Sequence, residues 1–284
     1  MGALDNSGYP PNSLEAIRAS LEAGAAFVEI DITALADTDY LLVHDPELAS
    51  ETTGIGRVES RRAADARELC YKGSDQIRVP QLGDVVRLFQ DFGGSARLQL
   101  DFKNMIPFTS EEPMHRLVNL IRPLQERVIV STSADWQLRK LRSLAPWLDL
   151  GLDVHFYIDD RPADSPVEEY SYPRHYAAYG YWDDHPIAQF RFWTTAEYLL
   201  DRCGMLIGLV PKVSTFYISH KLLVQSLDDG FNWAEPLHAA GIKLDAWTLD
   251  VDNPVAVANA KRLLEAGVDQ FTSNTPLALA KLLA

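Results

Sequence analysis

Apolar positions along the chain follow two rhythms. In Phe27-Val28-Glu29-Ile30-Asp31-Ile32 they alternate, which puts Val28, Ile30 and Ile32 on one face of a strand and Glu29 and Asp31 on the other. The same alternation returns in Arg97-Leu98-Gln99-Leu100-Asp101-Phe102-Lys103, with Gln99, Asp101 and Lys103 on the polar face. Helical spacing fills the intervals. Ser13 can cap a helix over residues 14–23 that ends at Gly24, and the strand at 26–32 follows. Beyond a short apolar run, Tyr40–Val43, and from Pro80 onward, the pattern predicts helix 82–91, strand 96–102, helix 111–125, strand 127–132, helix 135–145 and strand 148–152. It resumes with helix 194–202, a strand near 205–216, helix 219–240 in one or two pieces, strand 242–248, helix 254–266, strand 268–272 and helix 275–283. Strands alternating with helices imply a parallel sheet with crossover connections. The expected fold is α/β, a TIM (β/α)8 barrel, with a small insertion at 46–78 after the second strand and an aromatic-rich one at 153–193. Seven strands are counted, so the first strand is missing or truncated and would have to precede residue 1.

Length and charge narrow the options. A chain of 284 residues can form one barrel domain over 1–284. Its formal charge of −14, from 40 acidic and 26 basic residues, argues against nucleic acid as a partner. No apolar run approaches ~18 residues and no charged-then-apolar leader is visible, so neither an integral membrane segment nor a signal peptide is expected. Cys70 and Cys203 fit no metal-ligand spacing and no disulfide framework. A reducing, cytoplasmic setting is the default expectation.

The two polar strand faces carry the chemistry. Burying Glu29 and Asp31 side by side without a partner is costly, and a divalent cation would compensate both. Asp101 could supply a third oxygen ligand to the same ion, with Lys103 beside it to hold a substrate anion. The alternative is a pair of edge strands whose polar faces are solvated. In a β/α barrel these residues would sit at the C-terminal strand ends, where catalytic groups gather.

Six short motifs, in order, support a more specific reading: Pro10-Pro11-Asn12-Ser13, Glu29-Ile30-Asp31, His44-Asp45-Pro46, Asp101-Phe102-Lys103, Trp247-Thr248 and Gly267-Val268-Asp269. Together they resemble the glycerophosphodiester phosphodiesterase family, TIM barrels related in fold to bacterial phosphatidylinositol phospholipases. The resemblance implies a Mg2+ or Ca2+ ion on Glu29, Asp31 and Asp101, His44 as one of a pair of acid/base histidines, and Lys103 on the phosphate. It implies a small phosphodiester substrate, cleaved to an alcohol and a phosphomonoester. A cyclic phosphate product is open as well, because the same groups serve both routes.

The chain departs from the family pattern at several points. Pro11 stands for the glutamate of Pro-Glu-Asn-Thr, the third ligand is the shorter Asp101, and Ser273 follows Thr272 where an aspartate is usual. Met1-Gly2 stands in the register of His-Arg-Gly, so the first histidine and its arginine are absent. Either the start lies upstream or the chain is a relative that binds phosphodiesters without turnover; the two exposed edges of a barrel lacking one strand favour the former. An unrelated barrel enzyme with the same acidic strand ends is a third reading. His44-Asp45-Pro46 could be a plain turn, and Trp247 a core aromatic instead of a substrate wall. The aromatics of 153–193, among them Tyr170, Tyr172, Tyr179, Tyr181, Phe190, Phe192 and Trp193, could form a lid or wall for the alcohol, or a contact between subunits of a homo-oligomer. His155, His175 and His185 in this insertion read as loop residues, although one could replace the missing histidine.

Overall fold

The computed structural model describes residues 7–74, 76–160 and 174–284, so the Met1-Gly2 start and the tyrosines Tyr170 and Tyr172 lie outside the described residues. The chain divides into two compact units, one running to Thr132 and including Trp136–Leu150, the other comprising Ser133–Asp135 and Gly151–Ala284.

In the first unit, helix α1 (Leu14–Glu22) starts at Ser13, whose Oγ accepts the N–H of Ala16 at 3.2 Å. It ends before Gly24, whose φ of 81° only a residue lacking Cβ adopts without strain. Strand β1 (Phe27–Ala34) follows, and its end pairs antiparallel with β2 (Tyr40–Leu41). The insertion after β2 contains two single-turn helices, α2 (Leu48–Glu51) and α3 (Ala63–Ala66). Its polar composition suggests an irregular excursion, yet Leu48, Val58, Ala66, Leu69 and Tyr71 bury themselves against Leu41 and Val43 as a small core of their own. The sparse apolar residues are far apart in sequence, so no periodicity announces that core.

Helix α4 (Leu82–Phe92) begins with a capping box of Gln81 and Asp84 and buries Leu82, Val85, Val86 and Phe89. Strand β3 (Arg97–Phe102) then pairs parallel with β1, placing Glu29 opposite Gln99 and Asp31 opposite Asp101. Helix α5 (Glu112–Ile121) leads to strand β4 (Val128–Thr132), parallel to β3 on its other side. Helix α6 (Asp135–Leu144) and the start of strand β5 (Asp149–Asp153) end this unit. Ile30, Ile32, Leu98, Leu100 and Phe102 are fully buried. The apolar faces of β1 and β3 therefore form the core, and their polar faces turn together to the opposite side.

In the second unit, the last three residues of β5 pair parallel with β9 (Thr215–Ser219), which pairs with β10 (Lys243–Trp247), which in turn pairs with β11 (Gln270–Phe271). Three short antiparallel strands, β6 (Ile158–Asp159), β7 (His175–Tyr176) and β8 (Trp182–Asp183), organise the aromatic insertion. Asp183, fully buried, accepts from the Tyr198 hydroxyl at 2.9 Å and from Arg202 Nε at 3.2 Å, which ties the insertion to helix α7 (Thr195–Leu209). That helix corrects the expectation of a strand near 205–216. The apolar run Met205–Val210 lacks alternation and so cannot separate a strand from a buried helical turn; the capping box of Thr194 and Glu197 starts a helix that runs through it. Helices α8 (His220–Asp228), α9 (Ala234–Ala239), α10 (Pro254–Glu265) and α11 (Pro276–Leu283) complete the unit. Among the described residues no helix is long and apolar enough to cross a membrane.

Candidate active site

The parallel register of β1 and β3 brings Asp31 and Asp101 side by side, and Glu29 lies on the same face one pleat earlier. A carboxylate oxygen from each of the three lies within 4.8 Å of the others. Asp31 is 1% exposed, which excludes solvated edge strands. Lys103, just past β3, sets its Nζ 2.9 Å from Asp31 and 2.6 Å from Asp101. Burial alone would raise the Asp31 carboxyl, but the Lys103 ammonium, joined by smaller contributions that include His44 and the Asn12 amide, brings Asp31 down to about 2. Burial likewise pulls the Lys103 ammonium down, and Asp101 and Asp31 together lift it well above its ordinary value.

Asn12 completes this group. The Asp31 backbone N–H donates to Asn12 Oδ1 at 3.1 Å, while Asn12 Nδ2 donates to Asp31 Oδ2 at 3.0 Å. This clamp fixes both the strand and the rotamer of its carboxylate. It requires Asn12 to hold φ at 65°, a left-handed conformation that asparagine tolerates better than most residues. The Pro-Pro-Asn-Ser motif marks the segment in sequence, but only the tertiary contact reveals what Asn12 holds.

Asn12 also borders a cleft of about 380 Å3 lined by Pro10, Pro11, His44, Asp45, Glu51, Tyr71 and Lys72. His44 is half exposed and its Nδ1 lies 2.9 Å from Asp45 Oδ1. Glu51 Oε1 accepts the backbone N–H groups of His44 and Asp45 at 2.9 and 2.8 Å, so this turn is pinned from inside the insertion. Burial raises the Glu51 carboxyl above its ordinary value. Glu51 carried no motif, and a lone glutamate on a short helix offers no sequence signal for this task.

Among the described residues, two sets of side chains could surround a cation: Glu29, Asp31 and Asp101, and His44, Asp45 and Glu51. The first is a set of three hard oxygen donors, the chemistry Mg2+ and Ca2+ take, and it fits a divalent cation. In the second, Glu51 is already engaged as an acceptor for the turn. Trp247 belongs to the other unit. It ends β10 opposite Ser219, meets the His155 ring edge-on at 5.8 Å, and its buried Nε1 finds no acceptor among the described residues. His155 itself lies 3.3 Å from Asp159.

Residues 5–278 match the model of the glycerophosphoryl diester phosphodiesterase family. The chain belongs to this family. A glycerophosphodiester phosphodiesterase of Caldanaerobacter subterraneus subsp. tengcongensis is 25% identical over 153 residues, covering 52% of this chain and 63% of that protein. One of Bacillus altitudinis is 25% identical over 152 residues, covering 51% of this chain and 61% of the relative. The chain thus spans less than two thirds of these curated relatives. Among solved structures, a glycerophosphodiester phosphodiesterase from Parabacteroides distasonis superposes with a TM-score of 0.68 at 16% identity, covering 99% of this chain and 93% of that one. A phosphodiesterase of Oleispira antarctica, solved with the product sn-glycerol-3-phosphate, gives a TM-score of 0.64 at 19% identity, covering 99% and 95% of the two chains. At these identities the likeness establishes the fold, the TIM barrel predicted from strand and helix alternation.

Proposed function

We propose that this protein hydrolyses a glycerophosphodiester to an alcohol and a phosphomonoester, with Glu29, Asp31 and Asp101 holding a Mg2+ or Ca2+ ion. The observation that carries the reading is the convergence of three carboxylates within 4.8 Å on the paired strands β1 and β3. A bound divalent cation would neutralise charge on the phosphoryl oxygens. Lys103, already held between Asp31 and Asp101, adds a fixed positive charge for the phosphate beside that ion.

His44 is the proton-transfer group of this scheme. Its imidazole is oriented by Asp45 and its backbone by Glu51. As water attacks, an O–P bond forms, the P–O bond to the alcohol breaks, and the proton lost by water is carried by His44 to the departing alkoxide.

The test is release of sn-glycerol-3-phosphate from a glycerophosphodiester, followed with a coupled assay with and without chelator. Turnover that chelation abolishes and that falls at least a hundredfold in His44→Ala and Asp31→Asn, with circular dichroism unchanged, is the expected outcome. Metal-dependent binding of the diester with no alcohol released would assign a binding role without turnover. Turnover indifferent to chelator would remove the carboxylates from the reaction.

A further inference from the structure

The aromatic insertion does not all serve the interior. Tyr179 and Tyr181 are buried, but Phe190, Phe192 and Trp193 are 61%, 65% and 41% exposed. The three rings form a ladder, Phe190 against Phe192 and Phe192 against Trp193, each with centroids 6.2 Å apart, and Trp193 continues onto Tyr198 at 6.4 Å. Such rings on a loop would ordinarily fold inward. Here the backbone beneath them is fixed: the Tyr179 hydroxyl accepts the N–H of Phe192 at 3.0 Å and of Trp193 at 3.4 Å, and Tyr179 stacks on Tyr198 at 3.9 Å. Arg191 lies over the Tyr179 ring and donates to Thr195 Oγ1. The rings are presented outward from a rigid base.

We propose that Phe190, Phe192 and Trp193 dock the protein on the headgroup boundary of an uncharged, zwitterionic phospholipid bilayer. Three observations favour this occupant. The exposed ring area is roughly 300–400 Å2, well short of the ~800 Å2 per partner that a stable protein interface needs. The backbone donors of the three ring residues are already spent, those of Phe192 and Trp193 on Tyr179 and that of Phe190 on Ile187, as is that of the following Thr194 on Glu197. A protein partner expects about one hydrogen bond per 100–200 Å2, whereas the acyl boundary asks for none. Finally, a formal charge of −14 opposes adsorption to anionic lipid, leaving ring burial as the attraction. Because the rings are held in place beforehand, little ordering entropy opposes insertion. This inference is independent of the catalytic assignment, since none of the three residues belongs to it.

The experiment is sedimentation of the full chain with phosphatidylcholine vesicles, together with sedimentation velocity of the protein alone. Binding to these vesicles is expected. It should weaken about tenfold in Phe192→Ala, survive in Phe192→Trp and vanish in the Phe190→Ala/Phe192→Ala double variant with thermal unfolding unchanged. Should the double variant fail to fold, quenching by brominated lipid that is present in the parent and reduced in Trp193→Phe supports the proposal. Absence of binding by the parent, undiminished binding by the folded double variant, or binding that requires anionic lipid overturns it. A dimer in the velocity runs that Phe192→Ala dissolves also overturns it, assigning the ladder to a second copy of the chain.

Discussion

Replacing Lys103 with methionine isolates the electrostatics of the site. Methionine keeps an unbranched stem of similar length and removes only the ammonium. In the parent that ammonium sits 2.9 Å from Asp31 and 2.6 Å from Asp101, with the Asp31 side chain 1% and the Lys103 side chain 17% exposed. Breaking a buried ion pair by deleting one partner leaves an uncompensated charge and costs about 3–5 kcal/mol. Asn12 remains as a donor to Asp31, so the expected loss lies at the lower end, about 3 kcal/mol. A divalent cation should restore much of this: ligand at a hundred times its dissociation constant stabilises by about 2.7 kcal/mol. The variant should gain more from Mg2+ or Ca2+ than the parent, because its carboxylates no longer have a resident cation. Urea unfolding at neutral pH, in chelator and in saturating cation, measures both numbers. A Lys103→Met protein within 1 kcal/mol of the parent in chelator, or one that gains no more from the cation, would refute the shared charge balance.

Two further outcomes follow from the same geometry. Asn12→Gly keeps the left-handed backbone at φ 65° and removes both bonds to Asp31, so it should cost roughly 2–3 kcal/mol in urea unfolding, and Asn12→Ala about 1 kcal/mol more from backbone strain. Burial lifts the Asp245 carboxyl from its ordinary 3.8 to about 7 despite bonds from Gln270 and Thr272. The folded state then holds the extra proton between those values, so stability should fall by roughly 1.4 kcal/mol per pH unit as pH rises through the window, a slope that Asp245→Asn should flatten.

The polar faces of β1 and β3 were legible because strand alternation is a local property, and a parallel register then sufficed to join Asp31 to Asp101. What remained hidden depended on contacts between distant residues. Asn12 reaches Asp31 across nineteen positions, and Glu51 grips the His44 turn from a helix of four residues. The extent of α7 was obscured for another reason: residues 205–210 are apolar on consecutive positions, and a strand and a buried helix write the same run. The aromatic insertion divided along a line that composition does not draw, with Tyr179 and Tyr181 inside and Phe190 and Phe192 outside.

Asp31 and Asp245 show how far alternation alone can go. Each is an acid flanked by apolar neighbours in a paired strand, and each is 1% exposed. Burial pushes both carboxyls toward neutrality. At Asp31 an ammonium 2.9 Å away, with His44 and the Asn12 amide among the further contributions, reverses that push and leaves the group at about 2, while Asp245 meets neutral donors such as Thr272 Oγ1 and is lifted to about 7. One buried acid is thereby held below the usual carboxylate range and the other above it. The largest favourable contribution to that difference comes from Lys103, just past β3 and two residues beyond Asp101. A polar position inside a strand holds a charged acid in a dry place only when a second strand brings a compensating charge into register with it, and it is with that resident charge that a divalent cation would share the carboxylates.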